Sequence, residues 1–276
     1  MSNPNDTTAP RGPALPDGSA RDEAAPRAVA ALALSCLDLT NLSEVCDAAQ
    51  IEALCARART PHGDVAAICI WPRFVARARA LLGPANPIRI ATVVNFPGGS
   101  DPLETTLAET RAALAAGADE IDLVVPYRAL LAGQPGAIDD TVAAVRAATT
   151  GAVLKTILET GILAAPDAVA EASRRAIAAG ADFLKTSTGK VPVNATPEAA
   201  AVMLRAIRES GRPVGFKAAG GIGSVAVAAV YLDRAAAEMG PGWARPSTLR
   251  FGASGLLDDI LAVLGGGTSA GTGSGY

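Results

Sequence analysis

Short apolar, β-branched runs recur along this chain at intervals of about 30 residues, with helical stretches between them. That interval is the length of one strand, one helix and two turns, so the spacing describes a repeating βα unit. The runs fall near Leu34–Leu39, Ala66–Ile70, Ile88–Val94, Glu120–Val125, Val153–Leu158, Asp182–Lys185, Val214–Lys217 and Leu249–Phe251. Helical spacing fills Pro102–Ala116, Asp139–Ala148, Pro166–Ala179 and Thr196–Glu209. Strands that alternate with helices imply a parallel sheet. Eight units between about Ala30 and Gly265 predict an α/β fold, the closed (β/α)8 TIM barrel, as a single domain over residues 28–265. The open doubly wound sheet is the competing arrangement, and no G-x-G-x-x-G follows the first strand to favour it. A short internal echo fits repeated modules. Ala115-Ala116-Gly117-Ala118-Asp119 returns as Ala178-Ala179-Gly180-Ala181-Asp182, each before a strand, where Gly suits a left-handed helix cap.

Residues 1–27, rich in Pro, Asp, Ala and Gly, read as a flexible N-terminal extension, and 266–276 as a flexible, Gly-rich C-terminal tail. No apolar run reaches the roughly 20 residues that cross a bilayer, and the first residues have no signal-peptide core. The expected location is therefore cytoplasmic, with no membrane partner. A net charge of −3 and 4% aromatic residues provide no basic, stacking surface for nucleic acid, which leaves a small soluble ligand as the expected partner. The four cysteines form no C-x-x-C pair, and His62 is the single histidine. Common zinc-site patterns and Cys-His or Ser-His-Asp mechanisms would rest on His62 alone, so no metal or cofactor is expected.

Barrels of this type carry their sites where the strands end. The polar residues expected there are Asp38, Asn95, Asp122, Lys155, Lys185, Lys217 and Ser254. Lysine supplies only four of the 24 basic residues, yet Lys155, Lys185 and Lys217 stand in apolar strand contexts. A deprotonated lysine can form an imine with a carbonyl compound, which an arginine cannot. A free lysine titrates near about 10.4. A second ammonium about 6 Å away, at an effective dielectric near 20, costs about 3 kcal/mol or two pKa units, and burial adds to this. Lys185 and Lys217 end consecutive predicted strands, about 4.8 Å apart, so they can form such a pair. Asp122, inside the run Glu120–Val125, needs a partner: a salt bridge to a barrel lysine, a proton relay beside an imine, or both.

The segment Phe183-Leu184-Lys185-Thr186-Ser187-Thr188-Gly189-Lys190 resembles the Schiff-base motif of the deoxyribose-phosphate aldolase family. The likeness extends over nearly all of the barrel, through Ala67–Phe74, Ala91–Pro97, Val124–Arg128, Val193–Glu198, Gly215–Lys217 and Arg250–Ser254. It implies reversible cleavage of 2-deoxy-D-ribose 5-phosphate to acetaldehyde and D-glyceraldehyde 3-phosphate. Lys185 then forms the imine, Lys217 perturbs it, Asp122 transfers protons, and Lys155 has a supporting place at the mouth. Tyr276, at the end of the Gly-rich tail, can swing in to assist proton transfer. Substrate contacts are expected from Asp38, Thr186, Gly189, Lys190, Gly220, Gly221, Gly252 and Ser254. The implied partners are small aldehydes and the sugar phosphate, and a homodimer is compatible with such a barrel. The family pattern is broken near the phosphate: Ala218 replaces a proline, Gly223 stands for an arginine, and Gly255 for a second serine. A relaxed phosphate requirement is the expected result. Another Schiff-base aldolase with a different acceptor shares these lysines. A non-catalytic sugar-phosphate-binding barrel has no reason to keep Lys185, Lys217 and Asp122 together.

Overall fold

Runs that are apolar on both faces need cover on both faces, and a closed sheet wrapped in helices supplies it. The computed structural model, which describes residues 18–269, has that arrangement. Strands β1 (Leu37–Asn41), β2 (Ala67–Ile70), β3 (Arg89–Val94), β4 (Glu120–Val124), β5 (Val153–Ile157), β6 (Phe183–Lys185), β7 (Gly215–Ala219) and β8 (Leu249–Ala253) form one closed barrel. Each pairs in parallel with its neighbours in the sequence, and β8 returns to β1 through Leu37↔Phe251 and Asp38↔Gly252.

Helix α1 (Gly18–Ser35) precedes the barrel. One long helix then follows each strand: α2 (Ala48–Arg57), α3 (Val75–Leu82), α4 (Leu103–Ala115), α5 (Gly136–Ala148), α6 (Pro166–Ala178), α7 (Pro197–Ser210), α8 (Val225–Met239) and α9 (Leu256–Leu264). Pro166 and Pro197 open α6 and α7, where a missing N–H costs nothing. Thr196 and Ser224 cap α7 and α8 by accepting from Ala199 and Val227. No described helix is long and apolar enough to cross a membrane.

The main apolar core lies between sheet and helices, built from residues such as Leu39, Ile70, Ile121, Leu154, Leu184, Phe216 and Phe251. The internal echo has a structural cause. Gly117 and Gly180 both have positive φ, at 101° and 108°. Asp119 and Asp182, two residues on, each accept from an arginine of a preceding helix, Arg79 and Arg146, at 2.6 Å. The same carboxylates accept from the strand amides of Ile90 and Leu154 at 2.8 Å, so each copy clamps a helix to the start of a strand.

Two boundaries differ from expectation. The stretch 1–27 is not wholly an extension, because α1 begins at Gly18. Strand β1 starts at Leu37 rather than near Leu34, because α1 runs through Ser35. The Ala- and Leu-rich run is a strong helix former and buries Ala30, Ala33 and Leu34 at helical spacing. Arg27 donates to the Leu264 carbonyl at 2.7 Å, which ties α1 to the end of α9. The exposed His62 lies in a small hairpin (Arg59–Thr60 with Gly63–Asp64) that precedes β2, on the face where the strands begin.

Candidate active site

Side chains alternate across a strand, so every second residue of a barrel strand faces the interior. In most such barrels those positions hold branched apolar residues. Here only part of the interior is apolar, around Leu42, Cys69, Ala91 and Val93. The rest is a connected set of buried charges from β1, β4, β5, β6, β7 and β8.

Asp122 is its centre. Its Oδ2 accepts from Lys185 Nζ at 2.7 Å and from Lys217 Nζ at 2.8 Å, and its Oδ1 accepts from Lys155 Nζ at 2.8 Å. The shared oxygen places the amines of Lys185 and Lys217 no more than about 5.5 Å apart. Strand register gives the reason, since Lys185 and Lys217 are paired Cα partners on β6 and β7. Lys217 also donates to Asp38 Oδ2 at 2.5 Å. Lys155 lies 2.5 Å from Glu120 Oε2. Arg250 closes the set by donating to Asp38 Oδ1 at 2.7 Å and Glu120 Oε1 at 2.9 Å. Gly252 leaves room for this packing: a Cβ there would lie 3.0 Å from Lys217 Cε.

The lysines are not equivalent. Burial pulls Lys185 below the ordinary lysine range; Asp122 opposes this and the neighbouring Lys217 adds to it. Burial acts on Lys217 too, but Asp122 and Asp38 outweigh it and hold Lys217 well above that range. Lys155 is also raised: burial is overcome by Asp122 and Glu120. Asp122 is held well below the carboxylate range because its three lysines outweigh its burial. Lys185, which ends β6, is therefore the lysine of the set that gives up its proton most readily. A neutral, buried amine next to a carboxylate and an ammonium can add to a carbonyl and pass protons to its neighbours.

The other residues expected at the site divide into two groups. Lys190 and Ser254 line a hollow of about 320 Å3 at the mouth, together with Thr40, Asn41 and Ser43. Lys190 Nζ reaches across to donate to the Leu42 carbonyl beyond β1 at 2.9 Å. Gly189, Gly220 and Gly221 have φ near 80° and form the turns after β6 and β7. Thr186 is committed elsewhere. Its hydroxyl donates to Ala219 O at 3.2 Å and accepts from Ala219 N at 3.0 Å, which fastens the end of β6 to the end of β7. Tyr276 lies outside the described residues.

Three buried groups were missed in the sequence. Glu120 and Arg250 complete the charge set, and the spacing Glu120-x-Asp122 puts both carboxylates on one face of β4, a signal that was available. Glu159 follows β5 with left-handed backbone (φ 57°) and accepts from Thr188 Oγ1 at 2.5 Å, so it braces the loop after Lys185. Burial raises its carboxyl. No sequence signal marks that conformation. Among the described residues no group of His, Cys, Asp and Glu is placed to hold a metal ion.

Comparison with known proteins agrees with this geometry. The pattern of the DeoC/LacD family aldolases matches residues 32–260. A deoxyribose-phosphate aldolase of Agrobacterium fabrum is 60% identical over 252 residues, 91% of this chain and 97% of that protein. A Toxoplasma gondii structure assigned as a deoxyribose-phosphate aldolase superposes with a TM-score of 0.82 at 25% identity, covering 88% of this chain and 97% of that one. The tetrameric deoxyribose phosphate aldolase of Aeropyrum pernix does so at 0.70 and 26%, covering 88% and 99%. With a lysine pair in register inside a closed barrel and likeness over nearly its whole length, this chain belongs to the DeoC/LacD family of aldolases.

Proposed function

We propose that this chain is a deoxyribose-phosphate aldolase that cleaves 2-deoxy-D-ribose 5-phosphate reversibly into acetaldehyde and D-glyceraldehyde 3-phosphate, through an imine on Lys185. The observation that carries the reading is the buried Lys185 amine, lowered below its usual range and 2.7 Å from Asp122. The neutral Nζ adds to the C1 carbonyl of the open-chain sugar, and loss of water leaves an iminium. A base removes the proton of the C3 hydroxyl, the C2–C3 bond breaks, and its electron pair moves into the iminium to give an enamine. D-glyceraldehyde 3-phosphate leaves. Protonation of the enamine at carbon and hydrolysis of the imine then release acetaldehyde and restore Lys185. Asp122, 2.7 Å from the amine, carries protons to and from it, and Lys217 stays charged and disfavours a second ammonium beside it. Tyr276 is assigned the proton transfer at the enamine carbon.

The phosphate is assigned to the ends of β7 and β8, where Gly220, Gly221, Gly252 and Ser254 precede the N-termini of α8 and α9 and Lys190 lines the mouth. Gly223 and Gly255 offer no side chain there, so the grip on phosphate is weak and unphosphorylated sugars compete well. A homodimer, the commonest closed assembly, and a cytoplasmic setting, which four free cysteines suit, complete the reading.

Incubation with acetaldehyde and borohydride, followed by peptide mapping, tests it. The adduct is expected on Lys185, and Lys185→Ala is expected to abolish turnover with the fold retained. No adduct, or an adduct only on another lysine, removes the reading.

A further inference from the structure

The ionisable groups inside the barrel do not balance when all are charged. Asp38, Glu120 and Asp122 are three anions; Lys155, Lys185, Lys217 and Arg250 are four cations. Lys155 contacts Glu120 and Asp122, Lys217 contacts Asp38 and Asp122, and Arg250 contacts Asp38 and Glu120. Among the described residues Lys185 has one carboxylate partner, the Asp122 oxygen that Lys217 also holds. A net charge taken out of water is expensive, so the surplus proton leaves the cation with the fewest anions. That cation is Lys185.

Two members of the set stand away from the chemistry. Glu120 and Arg250 line a hollow of about 550 Å3 where the strands begin, the end of the barrel opposite the mouth. Arg250 is fixed there: its Nε donates to Pro246 O at 2.5 Å, and its guanidinium lies over the Phe183 ring at 5.7 Å. We propose that Arg250 and Glu120 are positioning residues that act through charge along the barrel axis, making the interior neutral only when Lys185 is unprotonated. The inference rests on the imine reading and names further members of that site.

The other groups facing Lys185 leave this assignment standing. β2 contributes Cys69, whose thiol burial keeps protonated. β3 contributes Ala91 and Val93, which do not titrate. Glu159, in the loop after β5, feels the charge of Lys185, but burial raises its carboxyl, it is hydrogen-bonded to Thr188, and it is the same in every variant compared below. Arginine stays charged at every accessible pH. Removing it therefore leaves an interior that is neutral with Lys185 protonated, and the pH at which the free amine appears rises. Removing the Glu120 charge has the opposite effect. Arg250 and Lys185 are two strands apart through the shared partner Lys217, about 10 Å at the usual strand spacing. At an effective dielectric near 20 that separation corresponds to about one pH unit.

The test is the pH dependence of acetaldehyde trapping by cyanoborohydride, read as the adduct on the Lys185 peptide between about pH 5 and pH 9. Arg250→Gln is expected to move the rising limb up by about one unit and Glu120→Gln to move it down by about as much. The double variant and Arg250→Lys are expected to titrate like the unaltered protein. Folded single variants whose limbs stay in place overturn the inference, as does Arg250→Lys shifting as far as Arg250→Gln. If the single variants do not fold, the double variant decides, and a limb displaced by a full unit in either direction refutes the charge balance. Absence of any Lys185 adduct in the unaltered protein is a separate result, which removes the imine reading itself.

Discussion

Lys185 and Lys217 are the same residue type, paired in register on adjacent strands and both buried, yet they sit on opposite sides of the ordinary lysine range. The difference is the count of carboxylates: Lys217 touches Asp38 and Asp122, and Lys185 touches Asp122 alone. Two unit charges about 5.5 Å apart at an effective dielectric near 20 repel by about 3 kcal/mol, or two pKa units. Lys217→Met removes that repulsion, so Lys185 keeps its proton to higher pH. Imine trapping at pH 7 is expected to fall about a hundredfold and to recover as the pH is raised toward 9. A loss of equal size at every pH would assign Lys217 a different task. Lysines in apolar strands are conspicuous, which is why Lys185, Lys217 and Asp122 could be read from the sequence. Arg250 was not, because an arginine next to a strand end looks like an ordinary surface charge. Lys155 was given only a supporting place at the mouth, and its contacts with both Glu120 and Asp122 depend on a register between β4 and β5 that no sequence pattern states.

At the scale of elements, the proposed phosphate site rests on the turns after β7 and β8. Gly220 and Gly221 take positive φ, and a Cβ on Gly220 would meet Asn194 at 2.6 Å, so that turn is built around glycine. Gly223 is different, since it is not among the positive-φ glycines and is half-buried rather than enclosed. Gly223→Arg should therefore be tolerated and should supply the missing charge. The ratio of kcat/KM for 2-deoxyribose 5-phosphate over 2-deoxyribose is expected to rise about tenfold, the size of one charge-assisted hydrogen bond. An unchanged ratio would place the phosphate elsewhere. The helices after β3 to β6 were legible because their apolar spacing is regular. Helix α1 was not, since its alanines serve a helix face and a loosely packed tail equally well in a one-dimensional reading.

For the whole molecule, the interval of about 30 residues was enough to specify the barrel, since eight βα units have few ways to close. The interval does not reveal that the interior is ionic, and that shapes the response of the fold to acid. Asp38 and Asp122 bind protons more weakly folded than unfolded, because burial is outweighed by their lysines and, for Asp38, by Arg250. Their contribution to stability is complete above the unfolded value of about 4 and is lost as the pH falls from there toward their folded values. Between pH 6 and pH 3, Tm is expected to drop by about 5–10 °C in calorimetry. A Tm that is flat over this range would mean the two carboxylates keep their protons alike in both states. One contact crosses the barrel outside this ionic interior. Lys190 holds the carbonyl of Leu42, and of the four lysines it alone has no carboxylate partner among the described residues. At rest the opening is thus tied from one rim to the other by a cation resting on a neutral oxygen. On the proposed phosphate site, an arriving anion exchanges that weak partner for a charged one, about twice as strong, and untying the rim is then part of being recognised.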